Sequence, residues 1–190
     1  MSAFEIIITA LTLFTVVSIV WSTLISGISP MPSSKKAQQA MLQLIDETGT
    51  ETGAIFELGS GWGNLLIPLA KKYSQRKIIG YELSIVPLLT TMILKKLLGL
   101  KNIQVYRKNF LHADLSSASV ILCYLYPRGM IDLDRKINTP SGRLDYLISN
   151  SFSLPSHQPI KKIQLNDLYK SPVYLYQLSN LNKYCLLYIS

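Results

Sequence analysis

Cysteine and histidine are both scarce in this chain, with two of each among 190 residues. Cys123 and Cys185 sit in apolar, strand-like runs, and neither has a histidine or second cysteine at metal-ligand spacing. No metal site is expected, and each cysteine reads as a buried free thiol. His112 and His157 fall in polar, loop-like stretches and are expected at the surface. Acids are few as well, 11 against 19 basic residues, leaving a formal net charge of +8. The surplus is not organised as a nucleic-acid surface. Its lysines come as scattered pairs at 35–36, 71–72, 95–96 and 161–162, with no basic helix or arginine stripe interleaved with aromatics. Anionic headgroups are the expected counterpart, at about 1 kcal/mol per residue near a membrane surface. No internal repeat or long low-complexity linker occurs, and the length suits one domain with a short appendage.

What the chain has in quantity is apolar residues, 48% against 16% charged. Ile6 to Ile28 carries no charge over 23 residues and is bounded by Glu5 before and Lys35 and Lys36 after. A helix of that length would cross a hydrocarbon core of roughly 30 Å. The expectation is a single transmembrane helix, with the membrane as a partner. A cleaved signal would start with basic residues and have a shorter apolar core, an interfacial helix would show a charged face, and a buried core helix remains a further alternative. The lysines beyond the run place residues 31–190 on the cytoplasmic side or in an equivalent compartment. The organisation expected is an anchor over residues 1–30, a linker and leading helix over 31–53, and one domain over 54–190.

Beyond the anchor, Ser29-Pro30-Met31-Pro32-Ser33-Ser34 reads as a rigid turn whose serines can cap a helix from Lys35 to Thr48. Apolar strands then alternate with helices: strands at Ala54 to Leu58, Lys77 to Tyr81, Ile103 to Tyr106, Ser119 to Tyr124 and Leu144 to Ser149, with helices at Asn64 to Lys72, Ser84 to Leu98 and around Gly129 to Ile137. This βαβ alternation predicts an α/β fold with a parallel sheet covered on both faces. Ile160 to Leu168 and Val173 to Leu178 have no helix between them, so they predict an antiparallel hairpin. Tyr184 to Ile189 is a further edge strand or a substitute for the last one.

The most specific stretch is Ile55 to Asn64, IFELGSGWGN. Glycines at 59, 61 and 63 let the backbone turn sharply at a strand's end and approach a ligand closely, ahead of a helix N-terminus. A dinucleotide fingerprint G-x-G-x-x-G would need a glycine at 64, where Asn64 stands. Glu82 closes the second strand 19 residues after Gly63, at the spacing from which an acid accepts hydrogen bonds from ribose hydroxyls. The acid at Glu57 followed by G-x-G-x-G resembles the first motif of class I, Rossmann-like methyltransferases that use S-adenosylmethionine. That resemblance implies a seven-stranded, mostly parallel sheet with an antiparallel C-terminal hairpin, and S-adenosyl-L-methionine as cofactor. It also implies roles around the cofactor. Glu57 orients the loop or the methionine amino group, Gly59, Ser60 and Gly61 supply backbone amides, and Gly63 completes the turn. Trp62 walls the pocket, Glu82 takes the ribose, and Asn109 and Phe110 face the adenine.

The fourth strand ends in Cys123-Tyr124-Leu125-Tyr126-Pro127 and lacks the D/N-P-P-Y/F motif of base-methylating DNA enzymes. Together with Pro30-Met31-Pro32-Ser33 and Ser149-Asn150-Ser151-Phe152, it is similar to small membrane-anchored protein-lysine methyltransferases that act on the adenine nucleotide carrier or the ATP synthase c-subunit, and to their bacterial relatives. The similarity implies a protein acceptor at or near a membrane, with no nucleic acid and no metal. Tyr124 and Tyr126 are then the catalytic candidates, sharing one face if the strand extends that far. Ser33, Pro127 and Asn150 would contact the acceptor. A lipid or quinone acceptor and a non-catalytic, cofactor-binding scaffold stay open as alternatives.

Overall fold

The computed structural model describes residues 2–26, 33–138 and 144–178. Short apolar runs form the strands β1 (Ala54–Leu58), β2 (Ile78–Tyr81), β3 (Ile103–Tyr106), β4 (Ala118–Cys123), β5 (Tyr146–Asn150), β6 (Lys161–Gln164) and β7 (Pro172–Gln177). They pair in the order β3-β2-β1-β4-β5-β7-β6. The first five are parallel, and β7 runs antiparallel to both β5 and β6. The parallel sheet and its closing hairpin are as expected. Strand order reverses between β1 and β4, and open α/β sheets receive ligands in the crevice beyond the strand ends at such a point.

The helices are α1 (Ala3–Ser26), α2 (Lys35–Glu47), α3 (Leu66–Lys72), α4 (Ile85–Leu97) and α5 (Pro127–Ile137). Alternation along each strand feeds two cores. Ile55, Ile78, Val120 and Ile148 pack with Met41, Leu44 and Leu69 on one face, while Phe56, Ile121, Leu147 and Tyr176 pack with Met130 and Leu133 on the other. Each fully buried aliphatic side chain contributes about 1.5–3 kcal/mol, so these two layers dominate stability. Ser34 caps α2, its hydroxyl accepting from Ala37 N–H at 3.2 Å. Lys36 near the start of α2 donates to the Asn166 carbonyl just after β6, and Glu47 at its end pairs with Lys161 at the start of β6 at 2.7 Å. The start of α2 therefore lies at the carboxyl edge of the sheet.

α1 opens with a capping box, in which Glu5 accepts from Ser2 N–H at 2.9 Å and Ser2 Oγ accepts from Glu5 N–H at 3.3 Å. Among the described residues, no helix is long and apolar enough to cross a membrane, which overturns the expected single-pass placement with its cytoplasmic domain and leaves the expected membrane partner without support. A count of charges overlooks what this helix carries. Glu5, Thr9 and Thr12 recur at helical spacing on one side, and the hydroxyls of Thr9, Thr12 and Thr15 each bond to the carbonyl four residues back, at 2.8, 2.9 and 2.8 Å.

Element ends differ by a few residues from expectation. β6 stops at Gln164 because the next residues form a turn, in which Leu165 N–H donates to Ser171 O and Asp167 Oδ1 accepts from Ser171 N–H. β4 stops at Cys123, so Tyr124 and Tyr126 do not share a strand face. The turn at Pro30 to Pro32, the edge strand at Tyr184 to Ile189 and the thiol of Cys185 lie outside the described residues.

Candidate active site

The loop from Gly59 to Gly63 leaves β1 with positive φ at all three glycines, 76°, 51° and 77°. Only glycine adopts such values without strain, which explains the spacing. Gly59 and Ser60 N–H both donate to Tyr81 O, tying the loop to the end of β2. Glu82, the next residue, braces it further: its Oε2 accepts from Gly61 N–H and its Oε1 from Ser84 N–H, each at 2.7 Å. Thr91 supports the loop from beneath. It is fully buried on α4, donates to Gly61 O at 3.2 Å, and lies where a Cβ on Gly63 would meet its Oγ1 at 2.8 Å.

Two polar atoms, one at the end of β1 and one in this loop, have nothing to bind among the described residues. Glu57 Oε2 and Ser60 Oγ are buried without a hydrogen-bond partner. Leaving such groups unsatisfied costs on the order of 1–3 kcal/mol each, more when charged. Burial, and then the negative charge of Glu82, pushes the Glu57 carboxyl well above the ordinary carboxylate range. A cationic group placed here would reverse that shift. Gly80 keeps the space open, since a Cβ there would come within 3.0 Å of Ser60 Oγ.

The structure brings Glu57, Gly59, Ser60, Gly61, Gly63 and Glu82 together at the ends of β1 and β2. Trp62 is half-buried in the same loop. Asn109 lies beyond β3, where its Oδ1 accepts from Leu111 N–H at 3.0 Å and caps a single 3-10 turn, Phe110–His112. Phe110 packs, half-buried, against the core of the Phe56 face. Among the described residues no group of His, Cys, Asp or Glu could hold a metal ion.

Facing this loop across the strand-order reversal is the segment after β4. Tyr124 is half-buried. Tyr126 is the extended residue before α5, its ring edge 3.3 Å from where a Cβ on Gly129 would be. Pro127 takes the first helical position of α5, where its missing N–H costs nothing. Asn150 is buried at the end of β5, and its neighbour Ser151 adopts φ 68° while donating its N–H to Pro172 O at 2.8 Å. Ser33 stands before the cap of α2, its carbonyl accepting from Gln38 Nε2 at 2.8 Å.

A cluster that no spacing in the sequence signals joins α5 to the segment after β5. His157 Nδ1 lies 2.8 Å from Asp134 Oδ1, with the two side chains 8% and 10% exposed, and Ser156 Oγ donates to Asp134 Oδ2 at 2.6 Å. His157 is thus buried, not at the surface as expected, because α5 supplies a carboxylate 23 residues away. The pair pins the segment after Asn150 to α5.

Residues 57–161 match the family of ANTKMT methyltransferase domains. An RNA methyltransferase from Salinibacter ruber, solved in complex with S-adenosyl-L-homocysteine, is 25% identical, with TM-score 0.68 over 78% of this chain and 94% of that one. Magnesium protoporphyrin IX methyltransferase from Synechocystis PCC 6803 with bound SAM is 12% identical, with TM-score 0.60 over 74% and 77%. A SAM-dependent methyltransferase from Aquifex aeolicus is also 12% identical, with TM-score 0.56 over 72% and 87%. No curated protein matches the chain.

Proposed function

The chain belongs to the family of ANTKMT methyltransferase domains, and from that premise we propose that it methylates a lysine of a protein acceptor. It is an S-adenosylmethionine-dependent methyltransferase of Rossmann-like fold, with S-adenosyl-L-methionine as its cofactor. When bound, that cofactor supplies a methyl group activated by a positively charged sulfonium.

The observation that carries the site assignment is the pair of buried, partnerless oxygens at Glu57 and Ser60 within a glycine cradle. They fit an amino acid moiety: Glu57 would take its ammonium, and Ser60 Oγ and the loop amides its polar atoms. Glu82 would take the ribose hydroxyls, since each of its oxygens accepts one backbone N–H and keeps a further lone pair. Asn109 already spends Oδ1 on its cap, so its amide N–H would face an adenine ring nitrogen, with Phe110 and Trp62 as apolar walls.

On the acceptor side, Tyr124 and Tyr126 would line the entry for the lysine side chain, with Asn150, Pro127 and Ser33 at its rim. Methyl transfer to nitrogen is an in-line displacement, so these residues have to align the amine and exclude water. The lysine must also arrive without its proton. A half-buried aromatic entry favours this, because desolvation disfavours the ammonium form. Alanine at Tyr124 and at Tyr126 tests the assignment. Transfer to lysine should fall at least tenfold in each variant, while S-adenosylhomocysteine affinity by calorimetry stays unchanged; full transfer in both variants would remove the tyrosines from the site.

A further inference from the structure

The turn joining β6 to β7 exposes two large apolar side chains, Leu168 at 89% and Tyr169 at 85%. Its backbone is nevertheless firmly built. Asp167 Oδ1 accepts from Ser171 N–H at 2.8 Å, Lys170 N–H donates to Asp167 O at 3.1 Å, and Lys36 donates to Asn166 O. Lys170 takes φ 48°, a left-handed conformation that is costly for a side chain of its kind. A turn so constrained holds Leu168 and Tyr169 outward, and among the described residues nothing covers them.

The position of this turn matters. β6 runs in the same direction as β5, so residues 165–171 lie at the carboxyl edge of the sheet, the edge that carries the glycine loop, Tyr124 and Asn150. The two ends touch, since Ser151 N–H donates to Pro172 O. Tyr169 is three residues from that contact, and so at most about 10 Å from it along the chain. An extended peptide with its lysine beside Asn150 would reach Tyr169 with the side chain about three residues away.

The charge around the turn is net positive. Lys35, Lys36 and Lys170 are exposed, against one acid in the turn, Asp167, which is held by Ser171 N–H and faces the charge of Lys36. We infer that Leu168 and Tyr169, ringed by Lys36 and Lys170, form a docking site for an acidic, leucine-bearing segment of the protein acceptor, next to the lysine that is methylated. The inference rests on the proposed lysine reading, but its test does not.

The test is fluorescence anisotropy of two labelled synthetic peptides on the full chain saturated with S-adenosylhomocysteine. One peptide has a lysine flanked by glutamate and leucine; in the other, glycine and serine replace the flanks. The acidic peptide should bind at least tenfold more tightly. The double variant Leu168→Ser, Tyr169→Ser should lose that advantage, and Lys170→Glu should reduce it severalfold. S-adenosylhomocysteine affinity should be unchanged in both variants. Equal binding of the two peptides, or wild-type binding by the double variant, would overturn the docking site. So would tip-dependent binding to phosphatidylserine vesicles without a preference for the acidic peptide. The acidic peptide is then incubated with the chain and S-adenosylmethionine in place of S-adenosylhomocysteine: preferential binding that depends on Leu168 and Tyr169, with no methyl transferred to the peptide lysine, would uphold the docking site and overturn the lysine reading, so the two failures are separable.

Discussion

Glu57 and Glu82 are two carboxylates at neighbouring strand ends with opposite circumstances. Glu82 has both oxygens engaged by backbone N–H groups, while Glu57 is buried with one oxygen unpartnered and its pKa raised by burial and by Glu82. A raised pKa means that Glu57 stabilises the fold fully only below its unfolded value of about 4.3, and that this contribution is lost as pH climbs through the higher folded value. Glu57→Gln stays neutral and avoids the loss. Its melting temperature should match the wild type near pH 4 and exceed it at pH 8, by about 2–4 °C for each kcal/mol recovered. The same variant should bind S-adenosylhomocysteine at least tenfold more weakly. Superimposable pH profiles in thermal melts would refute the burial argument. Glu82→Ala should abolish detectable S-adenosylhomocysteine binding in calorimetry while the far-UV spectrum remains folded. At this scale the sequence was informative where chemistry is local. Three glycines and two strand-ending acids carry their own signal in spacing. The Asp134–His157 pair carries none, because its partners are 23 residues apart on separate elements.

Elements hold the loop as much as residues line it. α4 contributes Thr91, whose hydroxyl bonds to Gly61 O and to Pro87 O at 3.1 Å and whose methyl fills the space against Gly63. Thr91→Val keeps the shape and removes the bond, so it should weaken S-adenosylhomocysteine binding severalfold, with Thr91→Ser restoring most of the affinity. Equal affinity in the valine variant would show that packing alone supports the loop. At the opposite edge, buried Arg76 donates to Gly53 O at 3.0 Å, Thr50 O at 2.7 Å and Ser119 Oγ at 2.6 Å, locking the entry to β1. Arg76→Ala should cost roughly 1.5–3 kcal/mol in urea unfolding, since part-buried acceptors at Thr50, Gly53 and Ser119 lose a charged donor, yet leave cofactor affinity intact. Strand and helix identities were readable here because periodicities of two and 3.6 are properties of the local sequence. Where elements stop was less so. Asp167 turning back on Ser171 shortens β6, and β4 ends at Cys123, short of Tyr124 and Tyr126, ahead of the helix that begins at Pro127.

At the scale of the molecule, the parallel strands follow from alternation and the antiparallel hairpin from the absence of a helix between the last two strands, so both were legible from sequence, whereas the order β3-β2-β1-β4-β5-β7-β6 was not. Nor was the role of α1. Its uncharged length suggested a membrane span, whereas among the described residues no helix is long and apolar enough to cross one. The acceptor is equally invisible in the cofactor motifs, because glycine loop and ribose acid are indifferent to what receives the methyl group. The central claim is tested most directly by incubating the full chain with radiolabelled S-adenosylmethionine and a protein extract, then hydrolysing the protein and separating its amino acids. The account predicts label in methyl-lysine with the wild type and none with Glu82→Ala. Label recovered only in the lipid or RNA fraction, with methyl-lysine unlabelled, would contradict it.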